Sequence, residues 1–452
     1  MPLPRWAALV GERAMRIGLK LGLVGFLLLL LLIPLAMLGG LVEERQARGQ
    51  EVAADIARSS AGAQDLVGPL LLVEAQKITE KKRVVSRDGH LTQETEQAAE
   101  TVHYLVSPAK LAVDNRLRFE RRGRSLFTVP LYHGALSLKG QFRHSLPPSD
   151  DGLLRPVRAW LVLGLGDNRG VRALTIKLDG RPVNADPGTR IGWLPEGLSA
   201  PVPLAALERP FDFDVALDLS GTGHLGWLPV GAETTVTASG AWPHPAFEGR
   251  HLPETPQVGD AGFKARWAVS RLSSRVQQVL AGCPPVSGEC AGLADGRFSL
   301  RLVEPVDRYL MTDRAMKYAL LFLALVFGAV FLVEALAARP VHFVQYGLTG
   351  LAMAMFYLLL LSLSEHIGFG PAYATAATAC SALIGHYLGG VLGGGWRGLA
   401  FGAGLATLYG LLYVLLRSED HALLVGAGVL FAALATVMAL TRRVDWNRLG
   451  ST

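Results

Sequence analysis

The chain has 452 residues, half of them apolar and 18% charged, with a formal net charge of +6. Residues 43–314 carry 33 Lys+Arg against 32 Asp+Glu, which leaves 11 and 6 for the apolar remainder. The positive excess therefore belongs to the apolar parts, which points to membrane topology and away from nucleic-acid binding.

The first 20 residues carry Arg5, Arg13, Arg16 and Lys20. Residues 21–38, "LGLVGFLLLLLLIPLAML", then hold no charge at all. A bilayer core takes about 20 apolar residues per helix, so a first span is expected over 21–40. Its apolar run is longer than that of a signal peptide, and "LIPLAMLGGL" offers a weak cleavage site, so it is read as a retained anchor. "VEERQARGQEVAADIARSSAGAQ" continues with apolar residues at helical spacing, which predicts a helical stalk over 43–61.

The period then changes to two. "DLVGPLLLVEAQ", "SLFTVPLYHGALSLKGQFR", "FDFDVALDLSG" and "GFKARWAVSRL" are among the short strand candidates, separated by Gly, Pro, Asn and Asp. They predict a large all-β, sandwich-like domain filling most of 43–314, an antiparallel β-sandwich or two packed sheets with little helix. Within it, "GLGDNRG" (164–170) reads as a hairpin turn, because a strand pattern follows it where a nucleotide loop would need a helix. Asp212, Asp214 and Asp218 read as the solvated side of a two-faced strand. Trp242, His244 and Phe247 in "AWPHPAFEG" form either an exposed recognition loop or a corner with its aromatics turned inward. Cys283 and Cys290 bracket "PPVSGE", a spacing that fits no common zinc site. In an oxidising compartment a disulfide is expected, with free thiols as the alternative.

Residues 315–441 return to apolar runs, with spans expected over 317–336, 341–363, 367–391, 398–416 and 422–441. Arg339, Arg397, Arg442, Arg443 and Arg448 fall on one side of the membrane if the N-terminus is cytoplasmic; Arg417 and Lys317 fall on the other. The expected architecture is an α-helical membrane protein with six transmembrane helices and a periplasmic β domain between helices 1 and 2. Its parts are 1–42, 43–314, a five-helix bundle over 315–441 and a cytoplasmic tail over 442–452. Cys380 reads as a helix-packing residue, and His386 as a candidate intramembrane polar group. "SLSEHIGFG" (362–370) and "LLRSEDHALL" (415–424) lie on two turns 54 residues apart. They either cap turns or bring Glu365, His366, Glu419, Asp420 and His421 into one pH-responsive periplasmic patch.

No catalytic motif is found: no Gly-x-Ser-x-Gly, no His-Glu-x-x-His and no phosphate loop. Several long stretches carry a resemblance instead. "LVEERQARGQEVAADIARSSAGAQDLVGPLLLV", "TDRAMKYALLFLALVFGAVFLVEAL", "YLLLLSLSEHIGFGPAY" and the terminal "LYGLLYVLLRSEDHALLVGAGVLFAALATVMALTRRVDW" resemble the CreD family, the Cet-type inner-membrane proteins of colicin tolerance. The resemblance spans nearly the whole chain and is weakest around 76–100 and the cysteine loop. It implies tolerance of E-group colicins, envelope integrity and a link to a two-component system with a β-lactam response. It brings no catalytic residue set. The expected function is a non-enzymatic inner-membrane protein, multi-pass with both termini cytoplasmic, whose β domain senses or binds. The alternative is a transporter or lipid-handling bundle, and an enzyme acting on peptidoglycan or lipid stands behind both. No cofactor, metal or nucleic acid is expected. The partners are the bilayer and an unidentified periplasmic or envelope component, and the oligomeric state is left open.

Overall fold

The computed structural model describes residues 5–87, 90–124, 126–143, 153–286, 288–303, 308–337, 340–418 and 422–442. The chain divides into two compact units, Gln50–Pro305 and the combination of Met1–Gly49 with Val306–Thr452. Helix α1 (Arg5–Ser59) contributes to both.

The first unit is rich in strands. In chain order these are β1 (Gln64–Arg87), β2 (His90–Val106), β3 (Lys110–Arg124), β4 (Phe127–Phe142), β5 (Leu153–Gly164), β6 (Val171–Leu178), β7 (Arg181–Val183) and β8 (Asp186–Pro187). There follow β9 (Gly197–Pro201), β10 (Phe211–Thr222), β11 (His224–Leu228), β12 (Glu233–Gly240), β13 (Pro245–Gly249), β14 (Gln257–Gly259), β15 (Gly262–Ser270), the short helix α2 (Val276–Gly282) and β16 (Phe298–Leu302). One sheet runs β13-β16-β11-β1-β5-β9-β8, with β2 also on β1; the other runs β14-β15-β12-β3-β4-β10-β6-β7.

Alternation decides which side chains meet between the sheets. In β10, Phe211, Phe213, Val215, Leu217 and Leu219 are buried while Asp212, Ala216 and Asp218 are exposed. Residues of both sheets share one core, with Leu71 and Val73 of β1 joining Val113, Leu138 and Val215. Aromatic rings bridge the layers. Trp267 of β15 stacks on Phe298 of β16 at 5.5 Å and lies 5.6 Å from Trp227 of β11.

Two features depart from an antiparallel domain joined by hairpins. β1 pairs with β11, and β3 with β12, in parallel. Period two reports which face is buried but not which way the neighbouring strand runs. The "GLGDNRG" stretch also does not close a hairpin. It carries the chain from β5 in one sheet to β6 in the other. Gln64, fully buried, anchors this crossing: its Nε2 donates to the carbonyls of Asp167 (2.9 Å) and Ser220 (3.2 Å), and its Oε1 accepts from Asp167 N (3.1 Å). The Asp167 carboxylate accepts from Gly62 N (2.9 Å) and Arg169 N (3.0 Å). The end of α1 is thus tied to the first strand and to the crossing.

The second unit is helical: α1 as far as Gly49, then α3 (Arg308–Lys317), α4 (Ala319–Ala337), α5 (Phe343–Ile367), α6 (Phe369–Val391), α7 (Gly395–Arg417) and α8 (Ala422–Thr441). Its core gathers Leu31, Phe327, Tyr346, Phe356, Tyr373 and Tyr409. α6 and α7 cross through glycines spaced four apart on each helix, Gly385 and Gly389 against Gly398 and Gly402. A Cβ on Gly385 would stand 2.9 Å from Gly398 O and 3.0 Å from Gly402 Cα. Small residues at this spacing let two backbones approach closely, which is how helices associate in lipid. Among the described residues, three helices are long and apolar enough to cross a membrane: Leu19–Ser59, Phe343–Ile367 and Gly395–Arg417. The pair α3 and α4, bent by 47°, makes a fourth if counted as one span. α6 and α8 lie outside that set.

Candidate functional site

α5 ends at Ile367 because Gly368 follows with φ +80. Consecutive helical residues are rotated by about 100°, and this separates Glu365 from His366. Tyr357 and Leu361, eight and four residues earlier, are buried, so Glu365 falls on the inward stripe. Its side chain is 7% exposed. Such a carboxylate needs partners, because burying an unpaired charge costs several kcal/mol. Tyr309 Oη donates to Glu365 Oε1 at 3.1 Å, and Arg45 Nε lies 3.7 Å from the same oxygen. Arg308 Nη1 donates to the carbonyls of Glu365 (3.0 Å) and Ser364 (3.4 Å). A cation there satisfies the orphan carbonyls and the negative end of the α5 dipole. The Arg308 guanidinium also lies 5.9 Å from the centre of the Tyr309 ring. His366 is exposed, with Nδ1 3.1 Å from the Ser362 carbonyl. Glu419, Asp420 and His421 lie outside the described residues.

Arg45 comes from α1, Arg308 and Tyr309 from α3, and Glu365 from α5. The sequence reading did not connect them. Arg45 counted only as a charge on the stalk, and Arg308 and Tyr309 as the end of the β domain. The inward position of Glu365 was available from helical spacing, but its partners lie 56 to 320 positions away and leave no local trace.

A second ionic cluster again joins α1 and α5, here through α4. Lys20 of α1 pairs with Glu334 of α4, and its Nζ donates to the Val341 carbonyl at 2.8 Å. Tyr346 Oη of α5 donates to Glu334 Oε2 at 2.9 Å. His342 caps α5: its Nδ1 accepts from Val344 N at 3.3 Å, and Gln345 closes the capping box.

The remaining candidates are placed apart. His386 is on the exposed side of α6 and not in the bundle interior. Cys380 is buried, with Sγ 3.5 Å from the Ala352 carbonyl, as a packing residue would be. Cys283 and Cys290 are joined as a disulfide with Cα atoms 5.2 Å apart. The "AWPHPAFEG" stretch takes the inward arrangement. Trp242 is buried, its Nε1 donating to the carbonyls of His244 (3.2 Å) and Val303 (3.3 Å), and Phe247 meets Trp267 edge-on at 5.5 Å. Only His244 of the three is exposed. Aromatic area gains more from the core than from solvent, which removes Trp242 and Phe247 from any recognition surface. Among the described residues no group of three or more His, Cys, Asp or Glu is placed to hold a metal ion.

The family model described as "Inner membrane protein CreD" matches residues 16–447. The chain belongs to the CreD family. It is 35% identical over 422 residues to the Inner membrane protein CreD of Escherichia coli (strain K12), covering 92% of this chain and 91% of that one. The apolar helices of the second unit agree with membership of a CreD family of inner-membrane proteins. Likeness to solved structures is slight. An M1 zinc metallopeptidase from Deinococcus radiodurans covers 36% of this chain at 14% identity and a TM-score of 0.21, and this chain spans 38% of it. Native leukotriene A4 hydrolase from Saccharomyces cerevisiae covers 36% at 11% identity and a TM-score of 0.19, and this chain spans 29% of it.

Proposed function

We propose that this CreD family member is a non-enzymatic inner-membrane protein that reports the state of its β unit to its helical unit, and so contributes to envelope integrity of the colicin-tolerance kind. One observation carries the reading. The chain enters the β unit at Gln50 and leaves it at Pro305. Arg45 stands five residues before the entry and Arg308 three after the exit, and both converge on the last turn of α5 at Glu365. A displacement of Arg45 or Arg308 would act on this cluster.

In this reading the β unit is periplasmic, the helices make six crossings, and both termini are cytoplasmic. The distribution of basic residues supports that orientation. The spacing of the ionic clusters supports the first of these crossings. Lys20 and Arg45 are 25 residues apart on α1, about 38 Å at 1.5 Å per residue, close to the ~40–45 Å between the polar faces of a bilayer. Each cluster also holds a tyrosine, a residue favoured at such interfaces. The bilayer is one partner, and an unidentified envelope component on the periplasmic side is the other.

Glu365→Gln tests this. The amide oxygen keeps the Tyr309 hydrogen bond while the attraction to half-exposed Arg45 is lost, so the fold should lose only about 1 kcal/mol. At matched protein level, survival of a colicin challenge should fall to that of cells lacking the protein. Wild-type survival in that variant would overturn the coupling role.

A further inference from the structure

The loop from Gly188 to Gly197 joins β8 to β9 and folds back over the first sheet. Both ends are glycines with φ in the left-handed region, +87 and +137, a backbone other residues reach only under strain. Inside the loop Thr189 holds the shape: Ile191 N donates to its Oγ1 at 3.1 Å, and its Oγ1 donates to the Leu194 carbonyl. The loop is therefore a preformed flap. Ile191 packs with Leu72 of β1 and Val162 of β5 in a small apolar cluster separate from the main core, with Trp160, Trp193 and Leu194 against it. Leu72 points away from the inward Leu71 and Val73, so this cluster lies on the opposite face of the sheet.

At its base the flap is held by Leu165 N on the Glu196 carbonyl (3.2 Å) and by Arg190 over the Trp160 ring (4.9 Å). Its middle is held from elsewhere. Gly192 N donates to the Pro285 carbonyl at 2.8 Å, and a Cβ on Gly192 would stand only 2.9 Å from Val286 O. Pro285 and Val286 lie in the loop closed by Cys283 and Cys290. One end of that loop is fixed by Cys283, whose N caps α2 on the Leu280 carbonyl (3.2 Å), and the other by Cys290, packed against the main core. Both cysteines are half-buried, within reach of a small reductant.

We propose that the Cys283–Cys290 bond is a redox latch on this flap. Oxidised, it holds Pro285 and Val286 against Gly192 and keeps Leu72 and Val162 covered. A dithiol reductant opens it: one thiolate attacks a cysteine sulfur and breaks the S–S bond, and the second displaces the mixed disulfide. Two electrons and two protons pass to the chain, leaving two thiols there and a disulfide on the reductant. The freed loop no longer presents the Pro285 carbonyl, and the flap lifts from an apolar surface of the kind that binds other molecules.

The test is amide hydrogen exchange on the full chain in lipid nanodiscs, with and without dithiothreitol. Exchange over 188–197 should rise about fivefold or more on reduction, as loss of one backbone hydrogen bond produces, while β4 and β10 stay unchanged. Gly192→Ala, with the disulfide intact, should give the same local rise, because its methyl group cannot fit against Val286. A flap equally protected in the reduced protein, or in Gly192→Ala, overturns the proposal. So does a rise spread evenly over both sheets, which would make the bond a general staple.

Discussion

Glu365 and His366 are neighbours in sequence with opposite surroundings, and the same contrast governs Asp167. Its carboxylate accepts from Arg169, and against a smaller effect of burial this and the Gly62 N–H hold its pKa down to about 2, from an ordinary 3.8. A depressed carboxylate stabilises the fold in full above its unfolded value and loses that effect as pH falls through its folded value. The tie between the end of α1 and the first sheet should therefore hold above about pH 4 and weaken toward pH 2. Asp167→Asn, which removes the charge, should lower the unfolding midpoint of the strand-rich unit at pH 7, with the difference from wild type vanishing near pH 2. A difference that is independent of pH would assign the Asp167 effect to shape alone.

At the scale of elements, the glycines of α6 and α7 are not equivalent, although the sequence presents them as one glycine-rich run. Gly398 faces α6 so closely that a Cβ would stand 2.5 Å from Gly385 O and 2.5 Å from Gly389 Cα, whereas Gly404, on the same helix, has nothing within 4 Å. Gly398→Ala should cost about 1–3 kcal/mol by overpacking. Gly404→Ala should be neutral or slightly stabilising, since alanine is the better helix former by up to about 1 kcal/mol. Unfolding titrations in detergent compare the two directly, and equal effects would mean that α6 and α7 do not pack through this seam. Gly350, 54 positions before Gly404, differs from it as well, because Gly350 is covered by Leu31 and Phe327.

For the molecule as a whole, the testable statement is the orientation. Reporters fused after Arg448 and within the β unit, near Gly180, should report cytoplasm and periplasm respectively. A periplasmic signal after Arg448 would remove the six-crossing arrangement, and a cytoplasmic signal near Gly180 would remove the placement of Glu365 at the outer interface.

Much of this was written locally in the chain. Hydropathy marked the apolar helices, because burial in lipid needs an unbroken apolar run. Alternation marked β10 and several other strands with their inward faces, and apolar residues at helical spacing after residue 43 marked the extension of α1 to Ser59. These are properties of one segment meeting one environment. What depends on two distant segments was not legible. The parallel pairing of β1 with β11 and the passage of "GLGDNRG" between sheets follow from which strands finally adjoin. Glu365 shows the boundary most plainly. Helical spacing alone turns it inward, but Arg45 and Tyr309, which make a buried carboxylate tolerable there, reach it only because α1, α3 and α5 converge.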